Sequence, residues 1–421
     1  QMCCCYQRVL YAPEGWQQKK VLLTFEAVGH EAKVYVAGKK VAEHHCGYTA
    51  FTVDLSDALV YGSDNLLTVV VDSHENLDQP PFGFVIDYMT YGGIYRDVYL
   101  EIKNPIYIED IFVKPAFVNP VVTEGMHAEE IAAVCRDGIL TSELTFSQEA
   151  NEAMQRGEVG IRQLVEDTVV LEAPIATSSW RAKVAEMALG DVESPKVYEV
   201  VTQLLYQDQV VDEKKTTVGF RDAVFRKDGF YLNGRKVKIR GLNRHQSYAY
   251  VGYAMPESMQ RLDAKILKEE LSLNAVRTSH YPQSQYFIDE CDRLGLLVFT
   301  EMPGWQHIGG EAWKEQAIQN VREMVIQYRN HPSIMLWGVR INESQDDDAF
   351  YERTNAVAHE LDDTRQTGGV RAMKKSHLLE DVYTYNDFVH SGQNCGCEPK
   401  TKVTSDAEKP YLVTEYNGHM Y

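Results

Sequence analysis

The pattern of hydrophobic and polar positions changes character near residue 220. Up to about residue 219, short apolar or alternating runs are separated by turn-rich segments, a spacing typical of sandwich or barrel strands. Beyond that point, strand-like runs alternate with longer runs of helical period. This alternation indicates βαβ units and a parallel sheet. The sequence therefore predicts a multidomain chain with a β-rich amino-terminal half and an α/β carboxyl-terminal half.

The β-rich half divides into two predicted domains. Residues 1–103 predict a jelly-roll sandwich, with strand signals at Val21–Phe25, Ala32–Val36, Thr49–Leu55, Leu66–Asp72 and Ile94–Ile102. Residues 104–219 suit an immunoglobulin-like sandwich of about 100 residues, with strand signals at Ile106–Val113 and Val197–Tyr206. We interpret this second domain as a spacer. The loop from Asp78 to Gly93 is long enough to reach outside the first domain.

Residues 220–421 predict a (β/α)8 TIM barrel that lacks its last strand. The strand-like runs are Val237–Leu242, Asn274–Thr278, Leu296–Thr300, the apolar run that opens at Ile334, Gln366–Val370, Asp381–Tyr385 and Tyr411–Thr414. The helical runs are Glu257–Leu271, Ser284–Leu294 and Trp313–Tyr328. A closed barrel needs eight strands and about 250 residues, so this count leaves two unpaired edges. Such edges favour association or instability, and a homo-oligomer is one expected state.

The charge and the cysteine content narrow the partners and the compartment. The formal net charge of −19 argues against nucleic acid or an anionic membrane surface as partner, because both need clustered Lys and Arg. No apolar run approaches the roughly 18 residues of a membrane span. Eight irregularly spaced cysteines indicate free thiols in a reducing compartment, hence a cytoplasmic location. Because the sequence starts at Gln1 without Met or a visible signal peptide, we expect the natural amino terminus to lie outside it.

Polar residues gather where the predicted barrel strands end. They are Asn243, Arg244 and His245 after the first strand, Arg277 and His280 after the second, Glu301 after the third, Asn342 and Glu343 after the fourth, Tyr385 and Asn386 after the sixth, and Glu415 after the seventh. The carboxyl ends of barrel strands meet in one cup, where barrel enzymes keep their chemistry. Two glutamates that face each other there suit glycoside hydrolysis, because one acts as a protonated acid while the other attacks the anomeric carbon.

Two long motifs resemble the signatures of glycoside hydrolase family 2. The first runs over Asn274–Phe299 and the second over Asn330–Glu343. Gly92–Val98 resembles the end of the family's sugar-binding domain, while Asp228–Gly234 and Arg240–His245 resemble the entry to its barrel. The resemblance implies a jelly roll, a sandwich and a barrel. It also implies an enzyme that acts with retention at the non-reducing end of β-linked sugars.

The resemblance further implies roles for individual residues. Glu343 is expected to be the acid/base and Glu415 the nucleophile, while Asn342 holds the sugar 2-hydroxyl. Arg277 is expected to lie beside the nucleophile as its charge partner. The other substrate-binding residues are expected to line the sugar pocket, and they are Asp87, His245, His280 and Tyr385.

The substrate and the cofactor follow from finer features of the same motifs. The amino-acid sequences of Trp337–Glu343 and Glu415–Met420 are more similar to those of galactosidases than to those of glucuronidases in the family. β-D-Galactosides are therefore the expected substrates. The alternatives are a β-glucuronidase of the same family and a catalytically silent sugar-binding fragment, because the sequence ends at Tyr421 before an eighth strand. Some β-galactosidases of the family bind magnesium beside the acid/base. Here Pro303 stands where a ligand is expected, so no metal or other cofactor is predicted.

Overall fold

The computed structural model describes residues 1–83, 86–389 and 397–416. Within these ranges the chain forms two β-sandwiches followed by a barrel of parallel strands and helices, which confirms the predicted multidomain fold class. None of the described helices is long and apolar enough to cross a membrane. The seven described cysteines are free thiols, and Cys395 lies outside the described residues. The domain boundaries at residues 103 and 219 stay a prediction.

The first sandwich buries its apolar residues between two antiparallel sheets. In the described part of this unit the strands are β1 (Cys3–Ala12), β2 (Lys20–Phe25), β3 (Val28–Gly29), β4 (Glu31–Val36), β5 (Lys39–His44), β6 (Phe51–Asp54), β7 (Ser63–Asp72), β8 (Gly93–Ile94) and β9 (Val98–Lys103). One sheet has the order β1-β7-β4-β5 and the other β6-β2-β9. Leu23, Val34 and Val71 pack together in the core between them. The sequence did not reveal β1 because most of its side chains are exposed and show no hydrophobic alternation.

The second sandwich contains strands and helices that the sequence marked only in part. Among its described residues the elements are β10 (Ile108–Phe117), α1 (Ala128–Ala132), β11 (Cys135–Phe146), α2 (Gln148–Gln155), β12 (Val159–Val165), β13 (Thr168–Pro174), β14 (Ser179–Ala188), β15 (Tyr198–Tyr206) and β16 (Gln209–Val218). The sheet β10-β11-β14 packs on the sheet β13-β12-β15-β16. Leu140 and Val184 from the first sheet share a core with Ile161 and Val200 from the second, which is the two-layer arrangement of an immunoglobulin-like domain.

A short antiparallel sheet of three strands, here called the hairpin, packs against apolar residues of the barrel strands. It consists of β17 (Ala223–Arg226), β18 (Gly229–Leu232) and β19 (Arg235–Val237). Phe230 of this hairpin packs in one cluster with Leu336 of the barrel. The prediction of a single strand over Val237–Leu242 was wrong, because Val237 pairs with Phe230 in the hairpin and the first barrel strand begins at Gly241. The apolar run is shared by two elements that face the same interior.

The barrel consists, in the described part of the chain, of seven parallel strands in sequence order. They are β20 (Gly241–Arg244), β21 (Ala275–Thr278), β22 (Leu297–Glu301), β23 (Ile334–Gly338), β24 (Gln366–Arg371), β25 (Val382–Asp387) and β26 (Tyr411–Tyr416). The helices are α3 (Glu257–Lys265), α4 (Gln285–Leu294), α5 (Glu311–Tyr328), α6 (Asp348–Leu361) and α7 (Lys400–Val403). All residues of β22 and β23 are buried, as expected for strands covered on both faces. Residues of β20 and β26 line a cavity of about 600 Å³.

The long barrel helices follow the predicted apolar period. In α5, the buried residues Trp313, Ala317 and Val321 recur every four positions and face the barrel strands. The helix predicted over Glu257–Leu271 is α-helical only to Lys265 and continues as a π-helical turn over Ile266–Glu270. The hydrophobic period does not distinguish an α-helix from a π-helical turn, because it shows which face is buried and not which residues the backbone hydrogen bonds join.

The loop from Asp78 to Gly93 reaches the barrel, as its length indicated. Trp313 of α5 donates its indole N–H to the carbonyl oxygen of Phe82 at 2.9 Å. The Tyr253 hydroxyl donates to the carbonyl oxygen of Met89. Because both donors belong to the barrel unit, they attach the loop on either side of Asp87. This attachment places Asp87 among barrel residues although it belongs to the first sandwich.

His30 lies at the same junction and is fully buried. Its ring packs edge-on against Phe82, with ring centroids 4.8 Å apart, and against Tyr48 at 5.5 Å. Burial lowers the pKa of His30 from 6.5 to about 4, although a backbone group of Thr90 opposes the shift. The folded state therefore holds His30 neutral at pH values where the unfolded chain binds a proton.

Acidification is expected to destabilise the protein through His30. Stability falls wherever the unfolded state binds more protons, so this loss begins as the pH falls below about 6.5 and is complete below about 4. Between pH 7 and pH 5, the free energy of unfolding of the wild type should fall by about 2 kcal/mol more than that of His30→Met. Urea unfolding at both pH values measures this difference. An equal loss in the two proteins would contradict it.

Candidate active site

Glu343 and Glu415 lie on opposite parts of the barrel rim. Glu415 belongs to the last described strand, β26. Strand β23 ends at Gly338, so Glu343 does not close that strand as predicted and lies in the segment that follows it. The backbone of Glu343 has a φ of +57°, a left-handed conformation that is uncommon for a residue other than glycine. Its N–H donates to the carbonyl oxygen of Val370 at 2.9 Å, which holds this conformation in place.

A single amide nitrogen joins the two carboxylates. Asn386 Nδ2 lies 2.9 Å from Glu343 Oε1 and 3.1 Å from Glu415 Oε2. The two carboxylate oxygens therefore lie no farther apart than the sum of these distances. Asn386 was recognised at the end of its strand but was not assigned to the site. The structure places it between the two predicted catalytic residues.

Arg277 connects the predicted site residues through its guanidinium group. It donates to Glu415 Oε2 at 3.2 Å, to Asn342 Oδ1 at 2.8 Å and to Glu301 Oε1 at 2.8 Å. Glu301 also accepts from the ring of His280 at 2.8 Å. Arg277, Asn342 and Glu301 are almost fully buried. The network brings the ends of β21, β22 and β26 and the segment after β23 together, and it places Arg277 in contact with Glu415.

The pKa values of the two carboxyl groups in this network, Glu415 and Glu301, are shifted in opposite directions. Burial raises the pKa of Glu415, and the neighbouring carboxylates of Glu343 and Glu301 add to this, while Arg277 and His280 counteract it. Burial would also raise the pKa of Glu301, but Arg277 and His280 outweigh it and hold that pKa below its ordinary value. Glu301 is therefore favoured in its ionised form, in which it pairs with Arg277. Arg277 and Asn386 both donate to Oε2 of Glu415, so these two contacts leave Oε1 open toward the site.

Three aromatic or histidine rings form a wall beside the carboxylates. The Tyr88 ring is stacked on His245 at a centroid distance of 5.3 Å and lies 5.7 Å from the ring of His280. Burial, together with the positive charges of His280 and Arg277, lowers the pKa of His245 to about 4, so this imidazole is neutral at physiological pH. Asp87 lies nearby and is exposed as a residue, although its carboxyl group is in part shielded from solvent. Burial raises its pKa, His280 lowers it and Glu343 raises it, so Asp87 lies within reach of both charges.

Tyr385 is the predicted site residue that the structure places elsewhere. Its side chain packs with Tyr383 and Val403 in a separate hydrophobic cluster. The next residue, Asn386, carries the side chain that contacts both glutamates. Successive side chains of a strand point to opposite faces, so an error of one position exchanges the pocket face for the outer face. The structure therefore places Asn386, and not Tyr385, beside the two glutamates.

Some polar strand ends serve the fold. Arg244 closes β20 but forms an ion pair with Asp263 at 2.7 Å and a hydrogen bond to Gln283 at 2.6 Å. Tyr88 and Gln306, which contact His245 and Glu343 respectively, were missed by the sequence reasoning. Both lie in loops, where no periodic pattern marks the direction of a side chain.

The residues beside Glu343 do not fit a magnesium ion of the kind that some β-galactosidases of the family bind. The side chain of Pro303 offers no ligand atom, and both oxygens of Glu301 accept hydrogen bonds from Arg277. Elsewhere in the described residues, ligand atoms of Asp289, Asp292 and His331 lie within 4.8 Å of one another. The two His331 ring nitrogens already face Asp292 Oδ2 at 2.6 Å and Gln285 Oε1 at 3.0 Å, which gives this cluster a structural role.

Two family models match most of the chain. The model of the glycosyl hydrolases family 2 TIM barrel domain matches residues 224–421, and the model of the glycosyl hydrolases family 2 sugar binding domain matches residues 1–105. The two matches coincide with the barrel and with the first sandwich. They cover the elements that carry Glu343, Glu415 and the Asp87 loop.

Individual relatives agree with these matches. A β-galactosidase of Thermoanaerobacterium thermosulfurigenes is 48% identical over 99% of this chain and 58% of its own length. A β-galactosidase of Thermoanaerobacter pseudethanolicus is 43% identical over 99% of this chain and 54% of its own length. The crystal structure of a β-glucuronidase of Parabacteroides merdae superposes with a TM-score of 0.78 at 26% identity, covering 92% of this chain and 50% of that one. The chain thus spans little more than half the length of the curated relatives described here. With its motifs, its fold and the geometry of its paired glutamates in agreement, the chain belongs to glycosyl hydrolase family 2.

Proposed function

We propose that this protein is a retaining exo-glycosidase that hydrolyses terminal β-linked sugars, with β-D-galactosides as its substrates. The observation that carries the proposal is the contact of Asn386 Nδ2 with both Glu343 and Glu415. The two oxygens that Asn386 contacts are thereby held close together, which agrees with the separation of about 5 to 5.5 Å between the carboxyl groups of retaining enzymes. This supports the closer spacing of a retaining pair.

In the proposed mechanism, the two glutamates act in succession. Glu415 attacks the anomeric carbon while Glu343 gives a proton to the leaving oxygen, so the glycosidic bond breaks as a glycosyl-enzyme ester forms. Glu343 then removes a proton from water, which attacks the ester and releases the sugar with its original configuration. Two further residues support these steps. Arg277 holds the attacking carboxylate of Glu415, and its guanidinium group also positions Asn342.

The choice of galactosides over glucuronides rests on sequence identity. The identity to the two β-galactosidases is 48% and 43%, whereas the identity to the β-glucuronidase structure is 26%, and this difference supports the choice. We also propose that the reaction needs no metal or cofactor.

A matched panel of aryl glycosides tests the proposal. The purified chain is expected to hydrolyse aryl β-galactoside much faster than the corresponding β-glucuronide, β-glucoside or β-mannoside. Nuclear magnetic resonance of the first-formed sugar should show the β-anomer. Preferential turnover of the glucuronide would establish the β-glucuronidase alternative. Binding of galactose without turnover by folded protein would establish the silent sugar-binding alternative.

A further inference from the structure

Arg340 is a buried arginine in the segment that carries Glu343. This segment joins β23 to α6, and Arg340 is 1% exposed there. In the described part of the chain its side-chain hydrogen bonds go to Ser344 and Asp346, and none goes to the network around Arg277. Burying a guanidinium group is costly unless it is paired. The contacts of Arg340 within its own segment therefore show what this charge does.

An ion pair closes the loop that has Glu343 at its middle. Arg340 Nη2 donates to Asp346 Oδ1 at 2.7 Å. Arg340 lies three residues before Glu343 and Asp346 lies three residues after it, so the pair joins the two sides of this loop. The same Arg340 nitrogen donates at 3.2 Å to the carbonyl oxygen of Ser344, the residue directly after Glu343. One guanidinium group thus holds the chain on either side of the predicted acid.

Neighbouring elements support this closed loop. Ser344 Oγ lies 2.6 Å from the Tyr351 hydroxyl on α6, and the Arg340 guanidinium group lies over the Tyr351 ring at 4.8 Å. Asp346 Oδ2 accepts from the backbone N–H of His377 at 3.0 Å. Burial raises the pKa of Asp346, but its hydrogen bonds from Arg340 and His377 outweigh burial and hold that pKa below its ordinary value. The pair is therefore ionised at neutral pH.

The neighbouring strand β24 leaves room for Arg340. A Cβ atom added to Gly369 of this strand would lie 2.3 Å from the Cβ atom of Arg340, which is too close for two side chains. The missing side chain of Gly369 thus lets Arg340 lie against β24. The next residue, Val370, accepts the backbone N–H of Glu343 at 2.9 Å. One strand therefore contacts both the arginine and the backbone of the predicted acid.

We propose that Arg340 is the positioning residue of the acid/base, and that its pair with Asp346 holds Glu343 in the left-handed conformation. The proposal rests on the proposed function, in which Glu343 gives a proton to the leaving oxygen. A left-handed backbone at a residue other than glycine persists only where surrounding contacts impose it, and the φ of Glu343 is +57°. Without the ion pair, the loop relaxes and the carboxyl group moves away from the leaving oxygen. Proton transfer then slows, whereas the attack by Glu415 continues.

Asp346→Asn tests this role, because it removes the negative charge and keeps an acceptor for the backbone N–H of His377. For phenyl β-galactoside, kcat/KM is expected to fall about 10- to 100-fold, since a misplaced acid loses much of its effect. For dinitrophenyl β-galactoside, whose leaving group needs no proton, the loss should be far smaller. Asp110→Asn is the matched control, because Asp110 pairs with Arg329 away from the site and its side chain is 34% exposed, against 28% for Asp346. The control should keep the wild-type ratio between the two substrates.

A double variant separates positioning from stability. Asp346→Asn leaves Arg340 buried without a charged partner, which is expected to destabilise the fold. Arg340→Met combined with Asp346→Asn removes both charges, so its free energy of unfolding should lie closer to that of the wild type. Its selective loss on phenyl β-galactoside should persist, because neither side chain then closes the loop. Equal losses on the two substrates, or a recovery of activity together with stability, would overturn the role of Arg340.

A measurement without turnover separates this inference from the function on which it rests. In a crystal structure of Asp346→Asn, Glu343 is expected to leave its left-handed conformation, and its Oε1 is expected to move away from Asn386 Nδ2, which lies 2.9 Å from it in the wild type. If the wild type hydrolyses no substrate but Glu343 moves in the variant, the positioning role stands and the proposed activity of the chain fails. If Glu343 keeps its conformation in the variant, the positioning role is refuted, whether or not the wild type is active.

Discussion

Glu415→Gly is expected to lose hydrolysis of aryl β-galactosides by about 10,000-fold or more, because removing a covalent nucleophile eliminates the reaction path. Azide should then restore consumption of dinitrophenyl β-galactoside and yield α-galactosyl azide. The small anion enters the space left by the side chain and attacks the anomeric carbon directly. One displacement inverts the configuration, whereas the native path has two. The product and its anomeric configuration are measured by nuclear magnetic resonance.

A surface glutamate provides the control for this experiment. Glu408 pairs with Lys227 on the exposed surface, and Glu408→Gly should retain wild-type turnover without any response to azide. A β-configured azide from Glu415→Gly would contradict the assignment, since it would require that a different group still forms the covalent intermediate. Unchanged hydrolysis by Glu415→Gly would contradict it directly.

Glu343→Gln is expected to separate substrates by the quality of their leaving group. For phenyl β-galactoside, kcat/KM should fall about 100- to 10,000-fold, the contribution expected of a general acid. For dinitrophenyl β-galactoside the first step should be nearly unaffected, while the second step slows because water loses its base. A burst of dinitrophenolate followed by slow turnover is the expected time course in stopped-flow measurements. Gln keeps the length of the side chain and one oxygen that accepts from Asn386, while its amide N–H takes the place of the oxygen that accepts from Gln306.

Azide also distinguishes this variant from the nucleophile variant. It needs no base, so it should relieve the slow second step of Glu343→Gln and yield β-galactosyl azide with retained configuration. Glu352→Gln, at an exposed position of α6, is the matched control and should show neither the burst nor the azide effect. Equal losses on phenyl and dinitrophenyl substrates would show that Glu343 is not the acid.

Three of the predicted site residues that the structure brings together share one property. Arg277, Asn342 and Glu415 follow or end apolar runs, of which those of β21 and β23 are fully buried, and such runs show where a barrel strand lies. Tyr385 shows the limit of this reasoning. A fully buried strand carries no alternation, so the pattern locates the strand without showing which of two neighbouring residues faces the pocket.

Other misses have different physical causes. β1 is exposed along most of its length, so no hydrophobic period distinguished it from a loop. Val237 belongs to an apolar run whose first part pairs with Phe230 in the hairpin. The hydrophobic period does not show which strand a residue pairs with, so the run was assigned to a single strand. Gln306 lies in a loop, and its contact with Glu343 depends on two left-handed backbones that no residue pattern marks.

The sequence by itself determined the family, the order of the three units and the pair of glutamates. These features depend on local patterns: alternation and apolar runs set the strands, and two long motifs mark the barrel ends. The tertiary structure alone decided which groups surround the pair. Asn386 bridges both carboxylates, Glu301 pairs with Arg277, and the Asp87 loop is held by barrel donors, and each contact joins residues far apart in the chain. Distances between such residues depend on the pairing register of the strands and on the contacts that hold the loops. Both are fixed only when the core packs.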